Sequence, residues 1–283
     1  MKIAYLIMIH NNFRQFQWLI NAISNEEDYF LIHIDKRSDR TFSRQVKEYV
    51  GNRPNVEYLA PRRMTRFGWS IVETELQAIR ELVAAKYEWS YLINVSGQDY
   101  PIKSTAAIKA ALTAAWPQNF IDVIPFAKMA ELDPYDPHLS RRLTFELLGS
   151  FVETRIRLPF SKTIDIKYKG SAWFMLTRDF CEYAISTPVT HRVKRLMKYT
   201  WNPDELFFQA LIMNSGYRSS RAAHYGREII WPVRSASPKT LGMEDYDRLS
   251  ASPALFARKF DEAVDRQILL SLARDHGYPV PAP

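Results

Sequence analysis

Three sets of side chains in this 283-residue sequence carry groups that reaction chemistry needs. The first is the acid pair Asp204-Glu205, set in Trp201-Asn202-Pro203-Asp204-Glu205-Leu206-Phe207-Phe208. Pro203 reads as a first-turn proline and Asn202 as a cap, so Glu205 falls at the start of a helix carrying Leu206, Phe207, Ala210 and Leu211. A helix N-terminus favours an ionised carboxylate, while neighbouring aromatic rings raise its pKa by desolvation. A carboxylate so placed can take the proton from an attacking hydroxyl. The same two acids also read as ordinary first-turn residues that complement the helix dipole. The second set is cationic: Lys239, Arg258 and Lys259, with Arg234 nearby. Arg258 and Lys259 lie between Phe256-Ala257 and Phe260, a frame that holds them against solvent competition and lets them meet negative charge on a departing group. An ordinary surface pair reads the same way, and Arg258 ranks below Lys259 because it can turn outward to a surface acid. The third set is Asp35 and Asp99, each just after an apolar run.

These groups need a scaffold, and the first 125 residues describe one. Apolar strand runs at 2–10, 30–34, 56–59 and 89–95 alternate with helical patterns at 16–23, about 41–50 and 70–85. The helix at 70–85 sets Val72, Leu76, Ile79 and Leu82 on one face. This order predicts an α/β fold with a central, mostly parallel sheet flanked by helices. Ligands of such sheets bind beyond the carboxyl ends of the strands, where Asp35 and Asp99 fall, although each can instead cap a turn. Residues 126–162 are less regular. Asp133-Pro134-Tyr135-Asp136-Pro137, then Arg141, Arg142, Arg155 and Arg157, suit a lid or an acceptor-side insertion, or solvated faces. Regular structure resumes near Gly170-Ser171-Ala172-Trp173-Phe174-Met175-Leu176. The last helix is expected over about 261–274, with Ala263, Val264, Ile268 and Leu269 available to pack.

Composition narrows the classes. With 47% hydrophobic and 24% charged residues the chain reads as a folded globule, and a net charge of +7 favours an anionic ligand. Nucleic acid is disfavoured, because no helix-turn-helix spacing, paired-cysteine module or dense basic helix occurs. Cys181 is the single cysteine and reads as a small buried hydrophobe, which excludes an internal disulfide framework. The N-terminal apolar run is short and ends in Asn11-Asn12, so it reads as a first strand rather than a signal sequence; no transmembrane segment is expected. Neither a P-loop nor a G-x-G-x-x-G fingerprint is present, which argues against kinases and dinucleotide oxidoreductases.

Seven stretches in order resemble one family. They are Ala4-Tyr5-Leu6-Ile7 through His10, His33-Ile34-Asp35-Lys36-Arg37-Ser38, Phe67-Gly68-Trp69-Ser70, and Asn94-Val95-Ser96-Gly97-Gln98-Asp99-Tyr100-Pro101. Gly170-Ser171-Ala172-Trp173-Phe174, Pro203-Asp204-Glu205 and Phe256-Ala257-Arg258-Lys259-Phe260 follow. Together they resemble the core-2/I-branching β-1,6-N-acetylglucosaminyltransferases, a family that also holds the peptide O-xylosyltransferases, over about residues 2–270. The resemblance implies a single GT-A-like domain over 1–283, with a nucleotide-binding half at 1–125 and an acceptor and catalytic half at 126–283. It implies an inverting, metal-independent transferase without a cofactor, taking a UDP-sugar as donor and a carbohydrate hydroxyl as acceptor. Glu205 is then the base. Lys259 and an arginine in 234–258, with Lys239, bind the diphosphate; His10, Asp35, Gly68 and Trp69 hold the uridine; and Asp99, Gly170, Ser171, Ala172 and Trp173 line the donor-sugar pocket. The alanine at 172, where xylosyltransferase members carry an acid, points to GlcNAc. UDP-xylose transfer, or carbohydrate or nucleotide binding without turnover, are the alternatives. Animal members carry a membrane anchor and disulfides that this sequence lacks, so a cytoplasmic, bacterial relative is expected, with transient contact to a membrane-associated acceptor.

Overall fold

Seven consecutive residues, Ile3–Ile9, are apolar and buried on both faces, as a central parallel strand requires. The computed structural model describes residues 1–85, 87–133, 142–147, 150–157, 164–232, 235 and 237–282. In chain order the elements begin β1 (Ile3–Ile9), α1 (Phe13–Ile23), β2 (Tyr29–Ile34), α2 (Arg40–Val50), β3 (Val56–Tyr58), α3 (Ser70–Ala84) and β4 (Tyr91–Ser96). Next come β5 (Asp99–Pro101), α4 (Thr105–Ala115), β6 (Ile124–Pro125), α5 (Phe126–Leu132), β7 (Arg142–Leu147), β8 (Ser150–Arg157), β9 (Tyr168–Lys169) and β10 (Met175–Thr177). The chain continues with α6 (Arg178–Ser186), α7 (Pro188–Met197), a 3₁₀ turn at Pro203–Glu205, and α8 (Phe207–Met213). It closes with β11 (Arg227–Ile229), α9 (Tyr246–Ala251), β12 (Phe256–Arg258) and α10 (Arg266–His276). The elements gather into two units: Met1–Ala60, Glu88–Trp116 and His224–Pro283 in one, Pro61–Tyr87 and Pro117–Ala223 in the other.

In the first unit, β4, β1, β2 and β3 lie side by side and all parallel, with Ile7 opposite Ile32 on one flank and Val95 on the other. This is the mostly parallel sheet flanked by helices that the alternating pattern predicted, consistent with the GT-A-like form that the resemblance implied. A smaller sheet sets β12 parallel to β11 and antiparallel to β5, with Arg258 in register with Asp99. Beneath it Trp18, Tyr100, Phe260, Leu269 and Leu272 share one core. Burying side chains of this size stabilises the fold by about 1.5–3 kcal/mol each. The helix α10 begins at Arg266 and not near 261, because Asp265 accepts from the amides of Gln267 and Ile268 and so caps it. Val264, expected to pack, is consequently 66% exposed.

In the second unit, Val72, Leu76, Ile79 and Leu82 of α3 are fully buried, as their spacing demanded, and α3 packs on α6. A short antiparallel pair sets Ile124 of β6 opposite Lys169 of β9. Part of the irregular segment forms the β7–β8 hairpin, while Pro134, Tyr135, Asp136, Pro137 and Arg141 lie outside the described residues. The continuous helix expected from Pro203 is interrupted. Asn202 takes a left-handed φ of 42° and makes no side-chain cap; Pro203–Glu205 is a 3₁₀ turn, and Leu206 at φ −124° separates it from α8. Glu205 therefore precedes the α-helix rather than occupying its first turn, and its setting comes from neighbouring side chains more than from a helix dipole. Among the described residues no helix is long and apolar enough to cross a membrane.

Candidate active site

In the first unit Arg258 ends strand β12 and Arg227 opens its neighbour β11. Asp99, fully buried, receives Arg227 Nη1 on Oδ1 at 3.0 Å and Arg258 Nη1 on Oδ2 at 2.9 Å. Its Oδ2 also accepts from the amide and hydroxyl of Ser96 at 2.8 and 2.7 Å. Arg227 is fully buried, donates to the Asn94 carbonyl at 2.8 Å and lies 5.0 Å from the Phe256 ring centre. Burial pulls both guanidinium pKa values down, and the Asp99 charge pulls them back up. The outward turn allowed for Arg258 does not occur: its register with Asp99 across the small sheet points it inward, where its side chain is 12% exposed. Asp99 serves that pair and presents no surface of its own.

Lys259 follows with a cis Arg258–Lys259 peptide. Its ammonium donates to Ser237 Oγ at 2.8 Å and meets no carboxylate among the described residues. Lys239 is engaged instead with Asp245 at 2.7 Å and Glu244 at 2.9 Å, and the Asp245 hydrogen bond chiefly raises its pKa. Backbone bonds from Leu241 to Lys259 and from Lys259 to Lys239 tie the two lysine segments together. Arg234 lies outside the described residues. At the carboxyl ends of β1 and β2, the Asp35 amide donates to Ile9, and Ser38 Oγ to the His10 carbonyl at 2.9 Å. The Asp35 carboxylate, 5% exposed, accepts from the Arg37 amide at 2.7 Å and pairs with its guanidinium at 3.2 Å. His10 is exposed.

The second unit gathers Glu205 with the segment 169–171. Gly170 N donates to the Glu205 carbonyl at 2.9 Å, and Lys169 Nζ sits 3.4 Å from Glu205 Oε2, whose side chain is 23% exposed. Ser171 N donates to Asp122 Oδ2 at 3.0 Å, and the buried Gln209 amide donates to the Ser171 carbonyl at 2.8 Å. Gly170 is obligatory here, since a Cβ would run into the Asp122 carbonyl. Burial raises the Asp122 pKa against the lowering pull of the Ser171 amide and Lys169. Asp204 is pushed up to about 7, first by desolvation and then by the charge of Glu205. Ala172 and Trp173 follow, half-buried.

Gly68 and Trp69 belong to the same unit. A Cβ at Gly68 would fall on the Glu146 carboxylate, which accepts from Ser70 N at 2.8 Å. Trp69 is 7% exposed, with its indole N–H on Glu73 at 2.9 Å and Lys194 5.5 Å from its ring centre. Trp69, Glu73 and Glu146 join Arg62, Ser70, Phe145, Lys198 and Tyr199 in lining a cleft of about 490 Å³. Sequence reasoning missed Lys169, Asp122, Gln209 and Arg227. For Lys169 the adjacency to Gly170 was a usable signal; Asp122 and Arg227 join their clusters through contacts between distant segments, which no local spacing encodes. Among the described residues, no group of three His, Cys, Asp or Glu side chains is gathered so as to hold a metal ion.

The Core-2/I-branching enzyme family matches residues 3–250, and the chain belongs to that family. Among its relatives are rat xylosyltransferase 2, 30% identical over 95% of this chain and 33% of the relative, and rat xylosyltransferase 1, 30% identical over 95% and 34%. The chain thus spans about a third of the length of the curated relatives it matches. Solved structures that align include Staphylococcus aureus TarS 1–349, at TM-score 0.39 and 14% identity over 76% of this chain and 56% of that one. Mouse xyloside xylosyltransferase 1 aligns at TM-score 0.36 and 10% identity over 76% and 83%. Both likenesses are too slight to bear on chemistry.

Proposed function

We propose that this protein is an inverting glycosyltransferase that moves a sugar, GlcNAc first, from a UDP donor to a hydroxyl of a glycan or glycoside. The observation that carries this reading is Glu205, whose backbone carbonyl accepts from Gly170 N and whose Oε2 pairs with Lys169, the side chain still part-exposed. Glu205 takes the proton of the acceptor hydroxyl as that oxygen bonds to the anomeric carbon. The bond from that carbon to the diphosphate oxygen breaks on the opposite side, and UDP leaves with the electron pair. Lys259, whose ammonium faces only a hydroxyl among the described residues, meets the charge that develops, with Arg258 aimed by Asp99. No divalent metal and no cofactor is assigned, because cationic side chains supply the positive charge. Lys239 and Arg234 are the lesser candidates for the diphosphate. His10, Asp35, Gly68 and Trp69 are assigned to the uridine, and Gly170, Ser171, Ala172 and Trp173 to the donor sugar. Asp99 is assigned to the support of Arg258.

The second reading is transfer of xylose. It is favoured by the relatives, which carry the name xylosyltransferase, while the small side chain of Ala172 favours the bulkier GlcNAc. A panel of UDP-sugars, assayed for hydrolysis and thermal shift with and without EDTA, separates these and separates an enzyme from a binder. Glu205→Gln should keep donor binding and lose roughly 10²–10⁴-fold in turnover. A variant retaining half of wild-type activity at saturating substrates removes Glu205 from the role of base.

A further inference from the structure

Asp122 and Asp204 each feel the charge of Glu205, and the positive charge of Lys169 acts on all three. The segment that carries this lysine is held on both sides. Gly170 N is bound to the Glu205 carbonyl, Ser171 N to Asp122, and the Ser171 carbonyl to Gln209. No side chain larger than hydrogen fits at Gly170, so the backbone next to Lys169 stays against Asp122. The ammonium is therefore delivered to Glu205 Oε2 by a rigid strand end, with Lys169 only 16% exposed.

Asp204 is the odd member. Its Oδ1 is buried without a hydrogen-bond partner among the described residues, a setting in which charge is costly. Elements packed on this turn bring few rivals. α3 carries Glu73, already held by Lys194 and the Trp69 indole, and the buried Glu75. α8 has no titratable residue, and β9 adds Tyr168, whose phenol feels Asp165, Arg218 and Arg221.

We propose that Lys169 is a positioning residue whose ammonium orients the Glu205 carboxylate and favours its charged form. The inference rests on Glu205 being the base. Of the carboxyls its charge reaches, Glu205 is the one the ammonium touches, at 3.4 Å. Removing the ammonium makes Glu205 easier to protonate, so activity must fall first on the acid side.

The test is the pH dependence of kcat and of donor KM, from about pH 5.5 to 9, for wild type, Lys169→Met, Lys169→Arg, Asp204→Asn and Glu205→Gln. The substrate is the UDP-sugar that wild type turns over. Lys169→Met should move the acid limb of kcat up by about one pH unit, giving roughly tenfold loss near pH 6 and under threefold loss near pH 8.5, with donor KM unchanged. Lys169→Arg should restore the limb. Asp204→Asn should keep the limb and abolish an inflection near neutral pH. Lys169→Gln replaces the Met variant should circular dichroism show that one unfolded. An acid limb that coincides with wild type, or a loss equal at every pH, overturns the inference. If that result comes with an inactive Glu205→Gln, only the role of Lys169 fails; an active Glu205→Gln removes the base assignment as well.

Discussion

Asp99→Asn isolates one charge with almost no change of shape. Asp99 and Arg227 are fully buried and Arg258 nearly so, and both guanidinium groups share the one carboxylate at 3.0 and 2.9 Å. The amide still accepts from Ser96 and opens no cavity, so the loss is electrostatic: two buried cations face each other without their counter-ion. Removing one partner of a buried ion pair costs about 3–5 kcal/mol, and the second arginine puts this site at the upper part of that range. For a chain of this size each kcal/mol lowers Tm by roughly 2–4 °C, so a fall of about 8–20 °C is expected. Thermal unfolding followed by circular dichroism, with the urea midpoint as a check, measures it. Adding Arg227→Met removes one of the two stranded cations and should recover part of the loss, a coupling that independent sites would not show. A fall in Tm below 2 °C accompanied by a rise in donor KM would refute the reasoning: Asp99 would then be a ligand contact and not the buried support of Arg258.

Lys259→Ala should lower kcat/KM by about two to three orders of magnitude, as expected for one lost charge contact in the transition state, and Lys259→Arg by less. Assays after exhaustive chelation, then with Mn²⁺ restored, check this; wild-type activity that vanishes and returns with the metal contradicts the metal-free reading. Ala172→Asp should discriminate against an N-acetylated donor, and equal kcat/KM ratios for UDP-GlcNAc and UDP-xylose in both proteins would sink that idea. Asp204 is protonated over a wider range in the folded chain than in the unfolded one, since its pKa of about 7 exceeds the ordinary 3.8. Its contribution is therefore fully present below about pH 4 and is lost as pH rises through 7. Asp204→Asn should flatten the fall in Tm between about pH 4 and 7 relative to wild type, and an unchanged slope would place that proton elsewhere.

The first sheet was readable residue by residue. β1 through β4 and the apolar face of α3 follow from periodicity alone, because a strand or helix buried along its length must repeat its apolar residues at the period of its own backbone. The placement of Asp35 at a strand end, and the closeness of Lys259 to Arg258, are local facts of the same kind. α10 starts several residues beyond the expected position because the Asp265 cap outweighs the apolar Val264 before it.

What local pattern determined, then, is the order of the strands and helices and the presence of an acid and a set of cations near their ends. Tertiary structure decided which of these charges is spoken for. Asp99 meets Arg227 and Arg258, Lys239 meets Asp245, and Lys169 meets Glu205 only once separate segments pack together. It also decided that Glu205 stands in a 3₁₀ turn ahead of its helix, and that Gly170 must be glycine. The physical reason is range. Backbone hydrogen bonding and amphipathic period act over a few neighbouring residues, whereas the burial and pairing of charge depend on whichever distant side chains share the same low-dielectric space.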